Sequence, residues 1–164
     1  MKEIKLKING KEVKLTDDQL KMLGIEVDTK RNNPFDRVND TYFCITSDNK
    51  ISFHTDDDGT YDRSLYNTVN YFNDEHFANQ VALHQLLYRK LLKFAYDNEC
   101  VDGEWGEMSD HYSIFYAHRM HRFMVDVNGE CQSDGVYFST EEAAERAIKE
   151  VIEPFMKEHP DFVW

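Results

Sequence analysis

Tyr71-Phe72-Asn73-Asp74-Glu75 and Tyr137-Phe138-Ser139-Thr140-Glu141 are one signal written twice. Two aromatic residues suited to a half-buried strand run into a short polar side chain and an acid, the signature of a helix start. Upstream of each lies a strand-like run, Tyr42-Phe43-Cys44-Ile45-Thr46 in one case and His111-Tyr112-Ser113-Ile114-Phe115-Tyr116 in the other. Phe72 follows Tyr42 by 30 positions and Phe138 follows Tyr112 by 26, so one connection differs by four residues. An internal repeat of a hairpin-plus-helix module explains this spacing.

The fold class this implies is α+β: antiparallel β-hairpins packed against helices, with an internal pseudo-repeat and an N-terminal ββα element. Residues 1–30 form the ββα element, 41–98 the first module and 111–164 the second, within one compact unit. In the head, residues 3–8 and 12–15 alternate aliphatic and charged side chains around Asn9-Gly10, a type I′ turn signal. Thr16 then caps a helix over 17–23, with Gly24 just beyond it. Residues 28–40 are a polar connection.

The first module places strands over 42–46 and 51–54, then a loop rich in Asp, Gly, Tyr and Asn, then a long helix after Asn73. The apolar arc of that helix, including Ala78, Leu87, Leu91 and Phe94, is wide enough for contact from more than one side. The second module places strands over 112–116 and 123–127, a short run over 136–138, and a helix opened by a capping box of Ser139 and Glu142. Pro154 interrupts that helix near 151–152. The aromatic end, Phe162-Val163-Trp164, is expected to fold back on the core.

Net charge is −12, with seven bases against six acids in residues 1–30 and 12 against 25 in residues 31–164. A phosphate-backbone binder needs clustered Lys and Arg, so direct nucleic-acid binding is disfavoured and a partner with a basic groove is favoured. The same acidity also serves solubility. No apolar run reaches the 18 residues a membrane span requires, and the N-terminus lacks the apolar stretch of a signal peptide. Three widely spaced cysteines, Cys44, Cys100 and Cys131, point to a reducing cytoplasm.

Chemical motifs are sparse. With Gly59 in the sixth place of a calcium loop, the first and twelfth places hold His54 and Leu65, so an EF-hand fails. Asp56, Asp58 and Asp62 leave a looser cation site conceivable; a solvated loop presenting charge is the simpler expectation. His118 and His121 fall in a turn with no Cys or carboxylate at ligand spacing beside them and His111 as the only plausible third ligand, so structural or surface histidines are the expectation. Cys44 reads as a buried small hydrophobe, and Cys100 and Cys131 as thiols in acidic loops. The strand aromatics lie among acids, so packing on helices fits them better than stacking on RNA bases. No cofactor, metal or catalytic group is expected.

Three stretches carry a resemblance: Asn33-Pro34-Phe35-Asp36-Arg37-Val38, the Asn70-Tyr71-Phe72 segment, and 136–164. Over 33–164 they resemble a widespread group of small proteins encoded by phages and prophages of Gram-positive bacteria. The resemblance implies an accessory phage gene, a class in which inhibitors of host defence such as anti-CRISPR proteins are common. It transfers no functional residue.

The leading expectation is therefore a non-enzymatic, phage-encoded inhibitor acting in the host cytoplasm on a defence effector such as a CRISPR nuclease. Its acidic surfaces, Asp56, Asp57, Asp58 and Asp62 with Asp102, Glu104, Trp105 and Glu107, would occupy a basic nucleic-acid groove. One alternative is an assembly partner in phage replication or packaging, contacted through the apolar head or the C-terminal aromatics. Another is a metal-dependent hydrolase using the Asp56 loop or the His118/His121 turn. The repeat is compatible with a monomer or a dimer.

Overall fold

The computed structural model describes residues 5–8, 11–14, 22–23, 33–38, 40–103, 105, 109–129 and 132–164. The chain divides into Met1–Asn33 and Pro34–Trp164. In the first unit, β1 (Lys5–Ile8) and β2 (Lys11–Lys14) form an antiparallel hairpin with Leu6 opposite Val13. The Asn9-Gly10 turn and nearly all of the helix expected over 17–23 lie outside the described residues.

The second unit opens with β3 (Thr41–Ile45) and β4 (Ile51–Thr55), an antiparallel hairpin closed by a turn in which Asn49 takes a positive φ of 63°. Asn tolerates that conformation because its short amide bonds locally. Its amide also reaches the carbonyl of Ala82 at 3.1 Å, tying the turn to the long helix.

The connection expected to be irregular contains a helix, α1 (Thr60–Asn67). Its sequence, Thr-Tyr-Asp-Arg-Ser-Leu-Tyr-Asn, has no apolar stripe, and the buried member of the helix is Asp62. That carboxylate accepts the N–H of Gly59 and of Asp57, each at 3.1 Å, and satisfies donors the helix start leaves open. A search for apolar periodicity cannot find a helix held by an inward-facing acid.

Helix α2 (Glu75–Asp97) follows, with Asp74 accepting the Phe77 N–H at 2.7 Å as its N-cap. It packs on β3 and β4 and also on the C-terminal helical segment, as its wide apolar arc requires.

Strands β5 (His111–Ala117) and β6 (Arg122–Asn128) pair antiparallel, and β7 (Tyr137–Phe138) joins the other edge of β5. Then α3 (Glu141–Ala147), a π-helical turn (Ile148–Ile152) and α4 (Glu153–Glu158) run on as one segment. Pro154 sits in the first turn of α4, where its missing N–H costs least, and the wider π turn before it makes room for the ring. The N-cap of α3 is Thr140, whose hydroxyl accepts the Ala143 N–H at 3.2 Å, rather than the expected Ser139.

The repeat is visible in backbone pairing. Phe72 exchanges reciprocal hydrogen bonds of 2.8 and 2.9 Å with Phe43, and Phe138 pairs with Tyr112. Phe43, not Tyr42, is thus the equivalent of Tyr112, and the sequence alignment shifts by one position. Beyond the first bridge the Asn70 amide spans the Ile45 N–H and C=O at 2.8 and 2.9 Å, imitating one more strand residue.

The main core joins Leu83, Leu87, Leu91 and Phe94 of α2 to Phe138, Ala144, Ile152, Phe155 and Phe162. Ala143, Ala144 and Ala147 let α3 approach closely, because a larger side chain there would open the contact. The chain end folds back: Phe162 is buried against Phe155, Trp164 packs edge-on to Phe123 at 4.8 Å, and Gln80 bonds the Asp161 carbonyl and Val163 N–H. A smaller core holds Tyr42, Cys44 and Tyr71 with Leu65. Not every strand aromatic packs inward: Phe53 and Phe115 are exposed.

Candidate functional site

The acidic loop after β4 does not present its charges as one outward patch. The Asp56 side chain is 1% exposed and receives a bidentate pair of hydrogen bonds from Arg37 at 2.6 and 2.7 Å. The Tyr71 hydroxyl donates to it at 3.0 Å. The Arg37 guanidinium holds the Asp56 carboxyl well below the usual carboxylate range, against the opposing effect of burial.

Asp62 is also turned inward, and the Tyr42 hydroxyl donates to it at 2.6 Å. That bond leads the lowering of the Asp62 carboxyl, while burial pushes the Tyr42 phenol up. Asp58 is exposed but bridges Arg37 and Arg63 at 2.8 and 2.6 Å. Asp57 accepts the Gly59 N–H at 2.9 Å. Two of the four acids expected at a surface, Asp56 and Asp62, are therefore structural ligands of neighbouring donors, because a buried carboxylate must be paired.

A second cluster forms where the 97–110 segment meets β5. His111, the first residue of β5, is 1% exposed. Its Nδ1 lies 2.6 Å from Asp102 Oδ2, and its Nε2 lies 2.9 Å from Ser109 Oγ. A proton on Nδ1 faces the carboxylate, and in the neutral ring Nε2 is then the acceptor for the serine hydroxyl. Trp105 stacks on the imidazole, centroids 3.6 Å apart at 13°, and Tyr137 stands edge-on to the indole at 5.1 Å. The Tyr137 hydroxyl in turn bonds the backbone N–H and the hydroxyl of Ser133.

Asp102 and Trp105, expected to face a partner, are thus engaged with His111; Glu104 and Glu107 lie outside the described residues. Sequence reasoning missed Ser109 and the role of His111. They lie two apart, the spacing that shares one face in extended backbone, which was a readable signal; the third member, Asp102, is brought in only by the chain's return.

The other candidates separate. His118 and His121 are exposed in the β5–β6 turn, and among the described residues no three His, Cys, Asp or Glu side chains gather as a metal site. Cys44 and Cys100 are buried free thiols, and burial pushes both up. Cys100 therefore belongs to the core rather than to an acidic loop, and Cys131 lies outside the described residues.

A further run of exposed carboxylates lies along the chain's last helical segment. Glu141, Glu142, Glu145, Glu150, Glu153, Glu158 and Asp161 are all exposed along the C-terminal helical segment and its end. An open cleft of about 1110 Å³ lies between α2 and β5, flanked by His84, Tyr88, Arg89, Phe115 and Trp164. Among the described residues no helix is long and apolar enough to cross a membrane. Compared with protein-family models, with curated proteins and with solved structures, the chain matches none.

Proposed function

We propose that Pro34–Trp164 is an acidic protein ligand that seats itself in the basic groove of a partner. In its narrowest form the proposal is a phage-encoded inhibitor that blocks a host defence effector, such as a CRISPR nuclease, by occupying its groove rather than by catalysis. It would work in the host cytoplasm and bind no nucleic acid itself. The observation that carries this reading is charge: 25 acids against 11 bases over 34–164. Such an excess steers association with a cationic surface and repels nucleic acid.

The reading requires a contact surface of acids that are not already engaged within the protein. Asp56, Asp62, Asp102 and Trp105 are engaged internally. The exposed Glu142, Glu145 and Glu153 are free of that duty and become the proposed contact residues.

The test is capture of the tagged protein from nuclease-treated host lysate, followed by competition of the identified partner with duplex DNA. Binding should weaken steeply between low and high salt, and Glu142→Lys, Glu145→Lys and Glu153→Lys together should abolish it. A partner with no nucleic-acid groove, or binding untouched by the three reversals, overturns the proposal.

A further inference from the structure

We propose that Ser109 is a nucleophile, with His111 as its base and Asp102 as the residue that positions the base, giving the protein a serine-esterase activity. This goes beyond the binding role and does not rest on it. The geometry has the three links such chemistry needs: hydroxyl to imidazole at 2.9 Å, imidazole to carboxylate at 2.6 Å, and a base shielded from water at 1% exposure. Trp105 stacked at 3.6 Å and the Asp102 carboxylate together fix the imidazole plane, so Nε2 keeps its aim at Ser109 Oγ. Ser109 itself is only half-buried.

The order along the chain, Asp102, Ser109, His111, compresses the whole constellation into ten residues. Its members are recognised by geometry and role, not by sequence order. In the first step Ser109 Oγ attacks the ester carbonyl carbon while Nε2 takes the hydroxyl proton. The ester C–O bond then breaks, and the departing alkoxide receives that proton as an alcohol. Water repeats the sequence on the acyl-serine, with Nε2 again taking and returning a proton. A carboxylic acid leaves and Ser109 is restored; no oxidant or further reactant is needed.

The substrate class follows from charge. Asp102 at the base and the exposed Asp110 beside Ser109 put negative charge at the site, which repels anionic acyl groups and favours neutral or cationic esters.

The test is labelling of the full chain with an uncharged fluorophosphonate, which phosphonylates an activated serine and releases fluoride, followed by peptide mapping. The label should fall on Ser109, and Ser109→Ala should lose it. Asp102→Asn should slow labelling by roughly 10²–10⁴-fold while Ser109→Ala keeps the wild-type thermal transition. A neutral p-nitrophenyl ester should turn over faster than one ending in a carboxylate. Folded wild-type protein left unlabelled at Ser109 overturns the proposal, and so does a rate unchanged in a folded Asp102→Asn protein.

Discussion

Tyr42 and His111 occupy the same place in the two halves of the repeat. Each immediately precedes the first-strand residue that pairs with the Tyr-Phe segment, Phe43 with Phe72 and Tyr112 with Phe138. Each is buried, each bonds a carboxylate at 2.6 Å, and each lies under a nearly parallel ring, Tyr71 at 4.1 Å or Trp105 at 3.6 Å. The carboxylates come from different places: Asp62 lies after the hairpin and Asp102 before it. The repeat thus conserves a ring-and-acid pair while the chain supplies the acid by two routes.

Removing the Tyr42 hydroxyl tests the first of these pairs. Tyr42→Phe keeps the ring and its stack on Tyr71 but leaves a buried acceptor without its side-chain donor. We expect a loss of about 1–3 kcal/mol in urea unfolding with an unchanged m-value. A loss confined to a few tenths would show that the backbone donors suffice.

Acid stability should depend on Arg37. The Asp56 carboxyl is lowered in the folded state, first by its bonds to Arg37. A depressed carboxyl contributes stability that is fully present above its unfolded value, near 4, and is lost as pH falls from there toward the folded value. Thermal transitions should hold above about pH 5 and drop below about pH 4. In Arg37→Met the transition should be lower already at pH 7, because Asp56 is left buried without its cation, and its further fall with acid should be shallower. An acid limb identical to wild type would remove Asp56 from that role.

Val69 holds a φ of 57° just after α1, a left-handed conformation that a β-branched residue rarely adopts, and it is 60% exposed. Val69→Gly should therefore stabilise the protein by about 0.5–1 kcal/mol, since little packing is lost and the strained position is relieved. Differential scanning calorimetry would show a higher Tm; a lower one would mean that Val69 packs on something in solution.

The start of α3 offers a paired comparison. Thr140→Ala removes the hydroxyl that accepts the Ala143 N–H and should cost about 1 kcal/mol. Ser139→Ala, one residue earlier on an exposed position, should stay within about 0.5 kcal/mol. Equal effects would return the cap to Ser139.

Much of the fold was legible where local physics acts alone. The strands around Tyr42 and Tyr112, the helix after Asn73, the interruption at Pro154 and the inward turn of Phe162 follow from alternation, apolar periodicity, a missing N–H and a surplus of aromatic area. Helix α1 was hidden because its inward residue is an acid, and periodicity counts only apolar ones. The capping box at Ser139 and Glu142 failed by one position, since Ser139 and Thr140 are both competent caps and only the path of the chain out of β7 chooses between them.

The sequence by itself determined the α+β class, the two-fold repetition, the acidic balance of residues 34–164 and the lack of any long apolar run. All of these are properties of residue type and spacing along the chain. Only the tertiary structure decided which acids face outward. Asp56 and Asp62 look like Asp57 and Asp58 in a string of letters. What separates them is whether Arg37, Tyr71 or Tyr42 arrives from elsewhere to pay the desolvation cost of a buried carboxylate. Asp102 joins Ser109 and His111 for the same reason: Val101 and Tyr112 both bridge to Phe138 of β7, which holds the segment that carries the acid near the start of β5, and no spacing rule records that return.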